Sequence, residues 1–115
     1  MAGKDQILTG PALDAALAAL PDWKYRSGAV VTVFKCPTSA AALELIAAVG
    51  RIAEAQNHHP DLDWRYNRVF VRYSSHDAGG EVTERDISAA TEVGRTAREL
   101  GAAPQPERYP DTEPG

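Results

Sequence analysis

Cysteine is nearly absent: Cys36 is the only one in 115 residues. No disulfide can therefore form within the chain, and no cysteine-rich zinc site can be built. Such a chain suits a reducing cytoplasm. Positive charge is also scarce, with 12 Lys and Arg against 16 Asp and Glu and a formal net charge of −4. Phosphate backbones need a concentrated positive surface, so nucleic acid is not an expected partner. No apolar run approaches the length of a membrane span. The opening residues Met1-Ala2-Gly3-Lys4-Asp5 lack the apolar stretch of a signal peptide. What is present is a chain of ordinary one-domain length in which hydrophobic residues make up 43%, enough for a packed core.

Periodicity divides the chain into seven elements. Leu13, Leu17 and Leu20 recur at helical spacing and predict a short amphipathic helix from about Pro11 to Leu20, stopped by Pro21-Asp22. Trp23 to Arg26 and the β-branched run Ala29 to Lys35 read as strands joined by a Ser27-Gly28 turn. Pro37 ends the second strand. Thr38 or Ser39 can cap a longer helix reaching about Gln56. Its expected buried stripe is Leu43, Ile46, Ala47, Gly50 and Ala53, with Leu45, Val49 and Ile52 beside it. His59 precedes Pro60, which disfavours helical backbone there and ends the helix. Asp63 to Tyr66 and Arg68 to Ser75 predict a second hairpin turning near Asn67. Val69, Val71 and Tyr73 share one face of it, and Phe70 and Arg72 the other.

Asp77-Ala78-Gly79-Gly80 is a loop, and Thr83-Glu84-Arg85-Asp86 opens a last helix. Ile87, Ala90, Val93, Gly94, Ala97 and Leu100 supply the buried side of that helix, and Gly101 stops it. The order is α-β-β-α-β-β-α. It predicts an α+β fold, a four-stranded antiparallel sheet with three helices on one face. Residues 1–103 form the domain. Residues 104–115, with Pro104, Pro106, Pro110 and Pro114, form a proline-rich tail without periodicity, expected to be loose. The uncovered sheet face carries Phe70 and calls for a shield such as a second subunit.

All three histidines fall between positions 58 and 76. His58 and His59 stand at a helix-to-strand junction, and His76 stands where a strand enters a glycine loop. Element ends are where a rigid scaffold presents reactive groups. Glu54 lies four residues before His58, so the two can face the same way. Each residue also has a plain reading alone. His59-Pro60 can be a helix stop, Glu54 a solvated helix charge, and Asp86 the third residue of a helix capped by Thr83.

Their joint spacing resembles the pterin-4a-carbinolamine dehydratase family. The matching text is Ala53-Glu54, then His58-His59-Pro60, then Tyr66-Asn67-Arg68-Val69, Ser74-Ser75-His76 and Glu84-Arg85-Asp86-Ile87. The resemblance is densest from Glu54 to Ile87. It implies an α+β domain with helices on one face of a four-stranded antiparallel sheet, and a hydro-lyase with no cofactor and no metal. The implied substrate is the 4a-hydroxytetrahydrobiopterin left by aromatic amino acid hydroxylases, and the product is quinonoid dihydropterin, in tetrahydrobiopterin recycling. By position, His58 and His76 match general acid/base groups and His59 a substrate-holding one. Asn57, Ser74, Ser75, His76 and Asp77 match pterin-lining positions, as does Trp23. Glu54 and Asp86 match supporting ones. Family members form dimers or tetramers, which implies a homo-oligomer here.

Histidine suits this chemistry. Hydroxide leaving C4a needs a proton, and N5 must lose one. An imidazole with a pKa near ~6.5 can do either at neutral pH. Two departures stand out: Asn57 occupies a place where relatives often carry an acid, and the loop between His76 and Asp86 is one residue longer than in close animal relatives. Two rival readings remain at this stage. One is a zinc site of His58, His59, His76 and Glu54, although adjacent histidines rarely reach one ion. The other is a non-catalytic assembly or dimerisation factor for a partner protein.

Overall fold

The computed structural model describes residues 6–75 and 79–110. Its elements are α1 (Gly10–Ala18), β1 (Lys24–Arg26), β2 (Ala29–Lys35), α2 (Ser39–Gln56), β3 (Asp61–Arg65), β4 (Arg68–Tyr73), α3 (Glu84–Glu99) and β5 (Ala103–Pro104), followed by a 3-10 turn at Pro106–Arg108. The fold is α+β, as the sequence predicts.

The sheet is antiparallel in the order β1-β2-β4-β3, with β5 also pairing β2. Both expected hairpins form, the first with its turn where predicted. Ser27 and Gly28 both take positive φ, the backbone of a two-residue turn whose twist matches its strands. Gly28 cannot be replaced there, because a Cβ would stand 2.2 Å from the Gly80 carbonyl oxygen. The second hairpin turns through Tyr66-Asn67, one residue earlier than the sequence suggests, and β3 accordingly runs from Asp61. Strand β4 ends at Tyr73, and Ser75 makes only an isolated bridge to Glu81.

Register places Val30 beside Tyr73, Thr32 beside Val71 and Phe34 beside Val69. Cross-strand partners share a face, so these six side chains form the floor of the core. Leu45, Val49 and Ala53 from α2, and Ala90, Val93 and Ala97 from α3, close over it, and Leu13 and Leu17 of α1 pack at its margin. Val69 and Val71 are fully buried, as their period predicts.

Helix α2 is rotated from the expected stripe. Its buried residues are Ala42, Leu45, Ala48, Val49 and Ala53, whereas Leu43 is 50% exposed and Ala47 and Gly50 are exposed. Apolar residues cover more than half of this helix's circumference, so periodicity leaves its orientation open by about one residue, roughly 100°. The beginning is as predicted, with Thr38 Oγ1 accepting the Ala41 N–H at 3.0 Å.

The expected loose tail is not loose through residue 110. Strand β4 occupies one edge of β2 along Val30 to Lys35, while β1 covers only Ala29 to Val31 on the other. β5 takes the remainder of that second edge, at Phe34 and Lys35, and the Gln105 N–H donates to the Val33 carbonyl at 2.7 Å. The chain then brings the Tyr109 ring to 6.1 Å from Phe70, with the Arg65 guanidinium 5.2 Å from the same Phe70 ring. The chain itself thus supplies part of the expected shield, and Phe70 is partly buried by it. Val31 and Val33, on the face away from the helices, are fully buried.

Candidate active site

Three element ends converge: the C-terminus of α2, the end of β4 and the N-terminus of α3. Helix α2 closes on Asn57 in left-handed backbone, φ +52, and the His58 N–H bonds back to the Ala53 carbonyl at 3.1 Å. That single left-handed residue turns the chain sharply. It sends His58 inward, to 8% exposure, while the following extended residue, His59, points out.

His58 Nε2 donates to Asp86 Oδ1 at 2.5 Å. Asp86 is fully buried, and its other oxygen accepts the Ser75 hydroxyl at 2.7 Å and the Thr83 N–H at 2.8 Å. Ser75 Oγ also lies 2.8 Å from Thr83 Oγ1. The Thr83–Asp86 pair is a capping box, in which helix-end N–H groups and side chains satisfy each other. Asp86 is therefore the helix-cap residue that the sequence offers, and the same carboxylate also reaches His58. Its negative charge also sits at the positive end of the α3 dipole.

The geometry fixes the histidine's protons. A carboxylate only accepts, so the Nε2 of His58 carries hydrogen. Nδ1 has no hydrogen-bond partner among the described residues and is the nitrogen able to exchange a proton. The ring lies nearly parallel to that of Tyr73, with centroids 5.7 Å apart and planes 23° apart. Burial, and then the nearby Asp86 carboxylate, push the Tyr73 phenol above its ordinary value, so it stays neutral.

A cavity of about 560 Å³ opens beside His58, lined also by Ala55, Gln56, Glu84, Arg85 and Ser88. That volume lies within the usual range for a small-molecule site. Of these lining residues, sequence reasoning singled out only His58. Gln56 adjoins Asn57, Arg85 adjoins Asp86 within the matched text, and Ser88 lies two residues beyond Asp86; that closeness is the signal that could have found them.

The remaining expected residues separate. His59 Nε2 pairs with Glu54 Oε2 at 2.6 Å, and both side chains are exposed, 57% and 79%. Glu54 thus faces His59 rather than His58, because Asn57 breaks the helical spacing on which the earlier pairing rests. The two adjacent histidines diverge and do not share one metal position. Ser74 is buried and donates to the Gly28 carbonyl at 3.0 Å. Trp23 is buried beneath the site, edge-on to Phe34 at 5.9 Å and tilted on Tyr73 at 6.2 Å. Asn57 is exposed at its turn. His76 and Asp77 lie outside the described residues.

An α+β domain with a buried histidine–carboxylate pair beside a cavity has the parts that general acid/base chemistry uses. The model of the family described as Pterin 4 alpha carbinolamine dehydratase matches residues 6–96, and the chain belongs to that family. A Mycobacterium leprae relative named for pterin-4-alpha-carbinolamine dehydratase is 39% identical over 89 residues, covering 77% of this chain and 94% of its own length. A similarly named Chloroflexus aurantiacus relative is 42% identical over 77 residues, covering 67% and 82%. A crystal structure from Brucella melitensis, described as a transcriptional coactivator/pterin dehydratase, superposes with a TM-score of 0.76 at 33% identity. It covers 80% of this chain and 99% of that one.

Proposed function

We propose that this chain dehydrates 4a-hydroxytetrahydrobiopterin to quinonoid dihydropterin and water. The observation that carries the proposal is the disposition of His58. Its Nε2 is committed to buried Asp86, its Nδ1 has no hydrogen-bond partner among the described residues, and it stands in the wall of a cavity of about 560 Å³. Asp86 holds one tautomer and favours the imidazolium once a proton arrives. His58 therefore exchanges a proton at Nδ1, either with the departing C4a hydroxyl or with N5. His76 is the second acid/base group, serving the opposite pterin face. His59, on the exposed rim with Glu54, holds the ring, and Asn57 and Asp77 border it. Ser74, Ser75 and Trp23 act from beneath, by fixing the walls. Proton transfers of this kind contribute roughly 10²–10⁴-fold and leave no electrons to be supplied by a cofactor.

We propose further that the protein acts in tetrahydrobiopterin recycling, downstream of an aromatic amino acid hydroxylase, in the cytoplasm and as a homo-oligomer. Among the described residues, no helix is long and apolar enough to cross a membrane. The deciding experiment is a dehydration assay with synthetic 4a-hydroxytetrahydrobiopterin. Acceleration by the wild-type protein and its loss in His58→Ala are expected, whereas wild-type protein that leaves the spontaneous rate unchanged refutes the assignment. A second reading, an assembly or coactivator role, is favoured by the description of the Brucella protein and by the exposed apolar side chains Leu62 and Trp64 on edge strand β3. It can coexist with catalysis.

A further inference from the structure

We infer that Tyr73 is the positioning residue of the site, holding the plane of the His58 ring through its own ring and not through its hydroxyl. The inference rests on the dehydratase reading for its kinetic consequence, but its structural part stands independently. One hydrogen bond to Asp86 fixes where Nε2 is but not how the imidazole is turned about the Nε2···Oδ1 line. Turning the ring about that line moves Nδ1 little but re-aims its lone pair, on which proton transfer depends. The parallel face of Tyr73, 5.7 Å away with a 23° interplanar angle, removes that freedom.

Tyr73 is itself closely packed. It is fully buried, paired with Val30 across the sheet, and braced by Trp23 at 6.2 Å. Its position at the end of β4 transmits the rigidity of the central sheet to a histidine that sits on irregular backbone. The hydroxyl meets no hydrogen-bond partner among the described residues despite complete burial, which leaves the ring as the functional part. A phenol face within about 6 Å also favours a cation over it, so the stack assists Asp86 when His58 is protonated.

The test is steady-state dehydration kinetics of Tyr73→Phe, Tyr73→Leu and Tyr73→Met, with proton NMR of the downfield imidazole N–H that the His58–Asp86 bond produces. Misplacing a reacting group by about 1 Å costs on the order of 10²-fold. Tyr73→Leu and Tyr73→Met are therefore expected to lower kcat by roughly 10- to 10²-fold with KM little changed, and to broaden the N–H resonance. Tyr73→Phe should retain both kcat and the resonance. Val71→Ala, a core change away from the site, controls for lost stability and should keep kcat. Should Tyr73→Leu unfold, Tyr73→Met retains volume without a flat face. Wild-type kcat and a sharp resonance in the Leu or Met variant, or equal damage in the Phe variant, would overturn the inference. Inactive wild-type protein with a stack-dependent resonance would instead refute the dehydratase reading and leave the positioning role standing.

Discussion

Asp86 serves His58 and Thr83 with opposite oxygens of one carboxylate: Oδ1 lies 2.5 Å from His58 Nε2, and Oδ2 lies 2.8 Å from the Thr83 N–H. The start of helix α3 and the orientation of the proposed acid/base group therefore depend on one side chain. Asp86→Asn separates the two duties. An amide can still accept the Thr83 N–H, but it offers no charge to an imidazolium. Turnover is expected to fall by roughly 10²–10⁴-fold, with about 1 kcal/mol of stability lost because the amide keeps the cap bond but gives up the negative charge at the helix start. Dehydration kinetics and urea unfolding measure the two effects. Near wild-type turnover in a folded Asp86→Asn protein would contradict the role given to the carboxylate.

The two adjacent histidines should behave differently. His58→Ala is expected to act on kcat, by roughly 10²–10⁴-fold. His59→Ala should mainly raise KM, because its ring sits on the rim. Adding His76→Ala to His58→Ala should lose more than either change alone if each histidine serves a different epimer of the 4a-hydroxyl. Glu54→Gln breaks only an exposed pair and should change stability by less than about 1 kcal/mol. Kinetics and thermal melts of the variants test this order, which fails if His59→Ala abolishes turnover while His58→Ala is active.

The Tyr73 hydroxyl has a signature of its own. It is buried without a partner among the described residues, so Tyr73→Phe removes an unsatisfied group and should leave the protein as stable or up to ~1 kcal/mol more so. The phenol is pushed up in the folded state, by burial first and Asp86 second. A raised acid retains its proton when folded but loses it more readily when unfolded. Its contribution is therefore complete below the ordinary value of 10.0 and is lost as pH rises above it. Denaturation midpoints measured across alkaline pH should fall less steeply in Tyr73→Phe than in the wild type. Parallel slopes would disprove the linkage.

Much of this arrangement is legible in the sequence, and the rest is hidden for physical reasons. The Ser27-Gly28 turn, the Thr38 cap and the Thr83–Asp86 box are local chemistry, readable at fixed offsets. The rotation of α2 is not, because Ala and Gly surround Leu43, Leu45 and Ile46 so evenly that only tertiary packing chooses the buried side. The choice of His59 by Glu54 depends on the left-handed backbone of Asn57, which no helical spacing rule anticipates. The stack of Tyr73 on His58 joins residues fifteen apart through the β3–β4 hairpin, and Tyr73 shows in sequence only as an inward-facing strand residue. β5 has two residues, too few for any period.

The tail contributes stability in its own right. Ending the chain after Ala102 removes the β5 pairing, the Gln105–Val33 hydrogen bond and the Tyr109 cover of Phe70. A loss of about 1–3 kcal/mol is expected, together with stronger binding of a dye that reports exposed apolar surface. Tyr109→Ala should give only part of this loss. An unaltered urea midpoint in the truncated chain would show that the contacts carry no weight.

Because β5 lies along the stretch of β2 that β1 leaves bare, the described sheet has one continuous margin, β3, and a broken one opposite, made of β1 and β5. A continuous margin offers an incoming strand an unbroken row of N–H and C=O groups, whereas a broken one interrupts that row after a few residues. Pro104, which has no N–H to donate, deepens the difference. Two residues, Ala103 and Pro104, thus give the sheet one side that can be lengthened and one that resists it.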